Sequence, residues 1–287
     1  MVLIERAQHV WESSVSGPPV PARDGDASVR DVGRVWQIAV PLLVVLAIAG
    51  FWRLWQQAFA FDNGLDATMP YFDQYWMTIF YVNIVGLPMV ASAGFAWLIL
   101  SGAKAARTAL TPVEETHRIW RLWLIIAAFT AAAYAGGSYF AEQDAAWHQV
   151  TLRDTAFTPS HIGLFYGAFP LMIYFSFAAY LYGRTRLPHL FGGKTLPLSF
   201  ALVVGGTLLL MFQVAFNEFG HTFWQTEEVF SAPLHWPFVI FAYLLFATFA
   251  IWFATAIRLG TLIRNELPPL RTTDDAPSDE LRTTEAS

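Results

Sequence analysis

The sequence contains no cysteine. Disulfides, thiolate metal sites, iron–sulfur clusters and cysteine nucleophiles are thereby excluded, and any metal must be held mainly by nitrogen and oxygen. Charge is scarce too: 14% of residues are Asp, Glu, Lys or Arg, against about a quarter in an ordinary soluble domain. No segment interleaves dense Lys and Arg with aromatics as a nucleic-acid surface does, so nucleic acid is set aside as a partner. A cleaved signal peptide is not expected, because the first long apolar run begins near Val35, after a polar stretch far longer than a signal's basic region.

Apolar surface is what the chain has in excess. Of its 287 residues 55% are hydrophobic and 16% aromatic, which makes lipid the solvent for most of it. Six stretches approach the roughly 20 apolar residues that a membrane-crossing helix needs: Val35–Trp55, Trp76–Leu100, Ile119–Phe140, Ser160–Tyr182, Leu196–Phe216 and Trp236–Leu262. Helices are required there because lipid cannot satisfy an open backbone. Pro41, Pro88 and Pro170 lie inside these runs and are read as kinks.

Basic residues accumulate on the cytoplasmic side of a membrane protein. All 17 except Arg53 and Arg153 fall in the N-terminal tail, the second and fourth connections or the C-terminal end, while the other three connections are acidic. The expected fold is therefore all-α: a polytopic membrane helical bundle of about six transmembrane helices with both termini cytoplasmic. Its parts are a polar N-terminal tail over residues 1–34, a transmembrane domain over 35–264, and a C-terminal tail over 265–287 whose Thr, Asp, Glu and Pro content predicts disorder.

This topology sorts the seven histidines. His9, His117 and His189 fall in cytoplasmic segments; His148, His161, His221 and His235 share the outer face. Asp144 precedes His148 by four residues, with His161 following; Asn217 precedes His221 by four, with His235 following. Residues four apart on a helix share a face, so each pair can grip one ion, with the third ligand supplied by the start of the next span. Imidazole with carboxylate or amide oxygen suits copper, zinc or non-haem iron. The bland alternative for any one of these histidines is a hydrogen-bonded interfacial residue. Two parallel sets weigh against it, because ionisable groups at membrane depth are costly and tend to be functional. Glu142, Asp154, Glu218, Glu227 and Glu228 read as solvated outer-face acids, with orientation of ligand imidazoles as the functional alternative. Trp147, Trp224 and Trp236 read as interfacial anchors, and Met172 and Met211 as lipid or core contacts.

Longer motifs carry a resemblance. Tyr139–Asp144 with Trp147 and His148, Arg153–Thr155 with Phe157–His161, Asn217 and Glu218 with Gly220–Trp224, and Ala232–His235 resemble the signature segments of the C subunit of copper-dependent membrane monooxygenases, which act on methane, ammonia or short-chain alkanes. Gly64–Asp66 and Leu110–Pro112 resemble connecting segments of that family, and the likeness extends from about Phe61 to Leu262. It implies one copper site at Asp144, His148 and His161 and a second at Asn217, His221 and His235, these six being the catalytic set, within a copper-site region spanning residues 139–236. It also implies A and B subunits as partners in a trimer of heterotrimers, and a bacterial cytoplasmic or intracytoplasmic membrane with the copper sites toward the outer face.

The implied reaction hydroxylates a small apolar substrate with O2 and two electrons, from a reductant such as quinol. Methane-oxidising relatives carry glutamates in the segment corresponding to Tyr81–Pro88, which here includes Asn83 and Leu87 and no acid. A short-chain alkane is therefore the favoured substrate, ahead of methane and ammonia. Two readings of other classes stand beside this one. A haem-bearing electron-transfer protein would show a Soret band, and a non-catalytic scaffold would keep turnover after loss of a ligand residue.

Overall fold

Residues 36–60, 72–107, 110–134, 159–191, 197–224 and 236–266 are described by a computed structural model, and among them every regular element is helical. Helix α1 is Trp36–Ala60. The continuous rod α2, Asp73–Ala105, contains two π-helical turns, Asp73–Met77 and Val82–Gly86. Helix α3 is Pro112–Tyr134. The rod α4 runs through Pro159–Gly163, a π-helical turn Leu164–Ala168, and Phe169–Arg186. Helix α5 is Leu198–Trp224, and α6 is Trp236–Thr261 with a π-helical turn Leu262–Glu266 after it. The expected tails and the outer connections lie outside the described residues.

Each apolar run coincides with a rod, and the rods extend past their runs, farthest at the start of α3 and the end of α5. α3 begins at Pro112, not Ile119, because Thr111-Pro112-Val113-Glu114 is a helix-start signal: the Glu114 N–H donates to Thr111 Oγ1 at 3.2 Å, and two acids occupy the first turn. α5 continues past Phe216 to Trp224, so Asn217 and His221 are helical. Three helical segments are long and apolar enough to cross a membrane: Asp73–Ala105, His161–Arg186 and Phe246–Asn265. Shorter apolar segments cover Ala39–Trp55 and Leu198–Leu210.

The prolines find a specific accommodation. Pro88 and Pro170 each stand at the start of an α-helical segment immediately after a π-helical turn. A proline ring clashes with the carbonyl four residues back and offers no N–H; a widened turn before it relieves both problems.

One core runs through α3 to α6, with Ile119, Leu122, Met172, Leu210, Ile251 and Leu262 buried. Small residues bring α2 and α4 together, as membrane helices require: a side chain at Gly102 would begin 3.0 Å from Thr185 Oγ1. Gly102→Val is therefore expected to cost about 1–3 kcal/mol. Thermal unfolding in detergent checks this against Gly205→Val, where the space is open; equal melting of the two variants would remove the close approach as a cause. Tyr81, Val82, Met89, Trp97 and Leu100 of α2 point outward, an apolar face fit for lipid or another membrane protein of the same assembly.

The charged residues gather at one end of the bundle. Glu115 at the start of α3 is 4% exposed and accepts two hydrogen bonds from Arg258 of α6, at 2.8 and 2.7 Å, with His189 Nε2 2.8 Å from Oε1. Arg118 donates to Glu114 at 2.8 Å and to the Arg186 carbonyl at 3.0 Å. The buried Arg186 guanidinium is satisfied by Leu98 O, Ser101 Oγ and Thr185 Oγ1 and lies over the Tyr182 ring.

Burial pushes the Glu115 carboxyl upward, but the hydrogen bonds and charges of Arg258 and His189 outweigh it and hold the group below its usual 4.5. A lowered folded-state value means that the contribution to stability is complete above the unfolded value and disappears as pH falls through the folded one. Wild-type protein is therefore expected to lose, on acidification from about pH 6 to about pH 3, stability that Glu115→Gln lacks from the outset. A gap between the two melting curves that stays constant over that window would contradict this.

Candidate metal centre

His161 stands in the first turn of α4, 3% exposed, its ring 4.9 Å from that of Phe165. The next residue, Ile162, is fully buried with Phe72 and Trp76 of α2, and Trp55 of α1 packs against the same group. Trp55 meets Trp76 at 5.8 Å between centroids, and Phe80 meets Tyr166 edge-on at 4.8 Å. The backbone step that carries His161 is therefore packed, through Ile162, into an apolar and largely aromatic cluster built by three helices, while the imidazole itself lies against Phe165.

Helix geometry locates this cluster relative to the charged end. α4 rises from His161 to Arg186, a distance of about 37 Å at 1.5 Å per residue, and Arg186 belongs to the charged end. Tyr180, near that end of α4, packs against Phe200, near the start of α5. α5 therefore runs back, and Asn217 and His221 near its end lie at the bundle end that holds His161. α6 returns again, reaching the charged end at Arg258.

Of the six expected ligand residues, His161 is described with its side chain, and Asn217 and His221 occupy successive turns of α5. Asp144, His148 and His235 lie outside the described residues, and among those described no three metal-binding side chains come together. The helical premise behind the Asn217/His221 pairing thus holds, while the Asp144/His148 segment is outside what is described.

Comparison with protein families matches residues 26–266 to the C subunit of ammonia monooxygenase/methane monooxygenase. The chain belongs to this family. The match begins earlier than the motif resemblance, which starts near Phe61, and covers every one of the six rods. The chain is thus a membrane component of a multi-subunit monooxygenase, and its place as the C member implies A and B partners. No curated protein matches the chain.

The donor chemistry fits a copper ion in kind: the residues offer imidazole nitrogens with carboxylate or amide oxygen and no thiolate, and His161 supplies a buried imidazole. An open apolar groove of about 750 Å3 between α1, α3 and α6, lined by Leu46, Gly50, Trp123, Thr130 and Trp252 among others, includes no metal-binding side chain. Two features escaped sequence reasoning. Asn83 of α2 donates through Nδ2 to the Ile162 carbonyl at 3.4 Å, beside His161; its signal was a lone amide in an apolar span. Arg258, counted among the basic residues of the C-terminal end, ion-pairs with the buried Glu115, and no local pattern marks that pairing.

Proposed function

We propose that this chain holds copper at two sites near the non-cytoplasmic end of a six-span bundle with both termini cytoplasmic, and that the monooxygenase complex hydroxylates a small apolar substrate there. The ligand sets are Asp144, His148 and His161, and Asn217, His221 and His235. The observation that carries this reading is the buried His161 imidazole, packed on Phe165 at the end of the bundle opposite the charged cluster, with Asn217 and His221 at the same end. Copper bound there would supply the dioxygen activation that no side chain of this chain can provide.

The chain's own residues do the rest. His161 would offer a ring nitrogen from the first turn of α4, Phe165 packed on its ring helps keep bulk water away, and the exposed apolar faces let a gaseous hydrocarbon arrive through lipid. The reaction consumes O2, two electrons and two protons; one oxygen atom enters the product as a hydroxyl and the other leaves as water. Quinol is the proposed source of electrons, and the A and B subunits complete the assembly as a trimer of heterotrimers in a bacterial cytoplasmic or intracytoplasmic membrane.

A short-chain alkane is the favoured substrate, because the Tyr81–Pro88 segment carries no acid and its amide, Asn83, is turned onto the Ile162 carbonyl. Copper quantification with product analysis on the isolated complex, supplied separately with methane, butane and ammonia, tests metal and substrate together. Butanol formed with copper present is the expected result. A copper-free complex that still turns over would overturn the metal reading, and hydroxylamine from ammonia without alcohol from butane would overturn the substrate.

A further inference from the structure

We propose that Asn83 is a positioning residue for the His161 copper site, acting through the peptide that follows the ligand; the inference rests on the metal reading above. Three observations converge on it. Asn83 lies in the π-helical turn Val82–Gly86 of α2, and this turn touches the π-helical turn Leu164–Ala168 of α4. The amide Nδ2 donates to the carbonyl of Ile162, the residue directly after His161. Gly167 leaves the space through which the amide reaches that carbonyl: a Cβ there would stand 3.3 Å from Asn83 Nδ2.

The physical argument concerns how a turn with a widened ladder is held. A π-helical turn departs from the four-residue hydrogen-bond register, so the first turn of α4, and His161 with it, is joined to the rest of the helix by a looser step than an α-helix offers. A carbonyl oxygen has a second lone pair beyond its helical partner, and in an apolar surrounding a side-chain donor to it is not displaced by water. Asn83 thereby ties the ligand's own backbone to α2. Phe80 packs edge-on against Tyr166, a second side-chain contact between the same two helices. Leaving an amide at this depth is costly unless it has such a use. Ligand groups are commonly held by neighbours of this kind, and loss of one typically weakens metal binding about 10–100-fold.

The test uses the purified complex of all three subunits. Copper affinity is measured by competition with a chelator, and the electron paramagnetic resonance spectrum of Cu(II) at this site is obtained as the difference between wild type and His161→Ala. Asn83→Leu, which keeps the volume and removes the donor, is expected to weaken copper binding at this site by about 10-fold and to change the copper hyperfine splitting. Gly167→Ala, which crowds the amide, should move both readouts in the same direction. If His161→Ala leaves the copper signal intact, the metal reading itself falls and takes this inference with it. If His161→Ala removes the signal while Asn83→Leu lowers only thermal stability, with affinity and splitting unchanged, Asn83 is a packing residue and the proposal alone is overturned.

Discussion

His161→Ala in the assembled complex is expected to lower copper binding at the first site by more than about 100-fold, beyond the range seen when a ligand's supporting neighbour is lost, and to reduce product to background. The residue is 3% exposed and its ring packs on Phe165, so solvent has little access to replace the lost donor. His161→Gln, closer in volume, should behave alike, which separates loss of the donor from loss of packing. His117→Ala, at the opposite end of the bundle, should leave copper and product unchanged. Co-purification of the A and B subunits shows whether the assembly survives. Near-normal turnover by both His161 variants would favour the scaffold reading, and a Soret band in the wild-type complex would favour the haem reading.

The second large effect is on stability. Glu115→Ala is expected to cost about 3 kcal/mol, since removing one partner of a buried ion pair strands the other. Arg258 is 27% exposed against 5% for the Glu115 side chain, so water recovers part of the guanidinium's loss and the low end of the usual range applies. Replacing both partners, as in Glu115→Leu with Arg258→Met, should recover much of that cost, because a well-packed apolar pair carries no unmet charge. Unfolding of the purified protein in detergent measures both. A single variant within about 0.5 kcal/mol of wild type would show that Glu115 behaves as an ordinary surface charge.

Both effects arise at opposite ends of one bundle, and the difference between them explains what could be read in advance. The His161 end was visible as a pattern of residue types: Asp, Asn and His at helical spacing stand out against Leu, Phe and Ala. The family match over residues 26–266 agrees with the motifs that flagged it. The charged end was visible as a count of basic residues that cluster in alternate connections. That Glu115 is buried was hidden. Its partners Arg258 and His189 are 143 and 74 residues away along the chain, and no periodicity links them.

The sequence by itself determined that the chain is helical and rich in membrane-crossing apolar runs, roughly where its rods lie, and which family it belongs to, because lipid admits so few backbone solutions. Tertiary structure alone decided that Pro88 and Pro170 follow π-helical turns, that α2 approaches α4 closely enough for Asn83 to meet the Ile162 carbonyl, and that three helix ends share one buried carboxylate. Those outcomes depend on distances between segments far apart in the chain, which are set only when the helices pack.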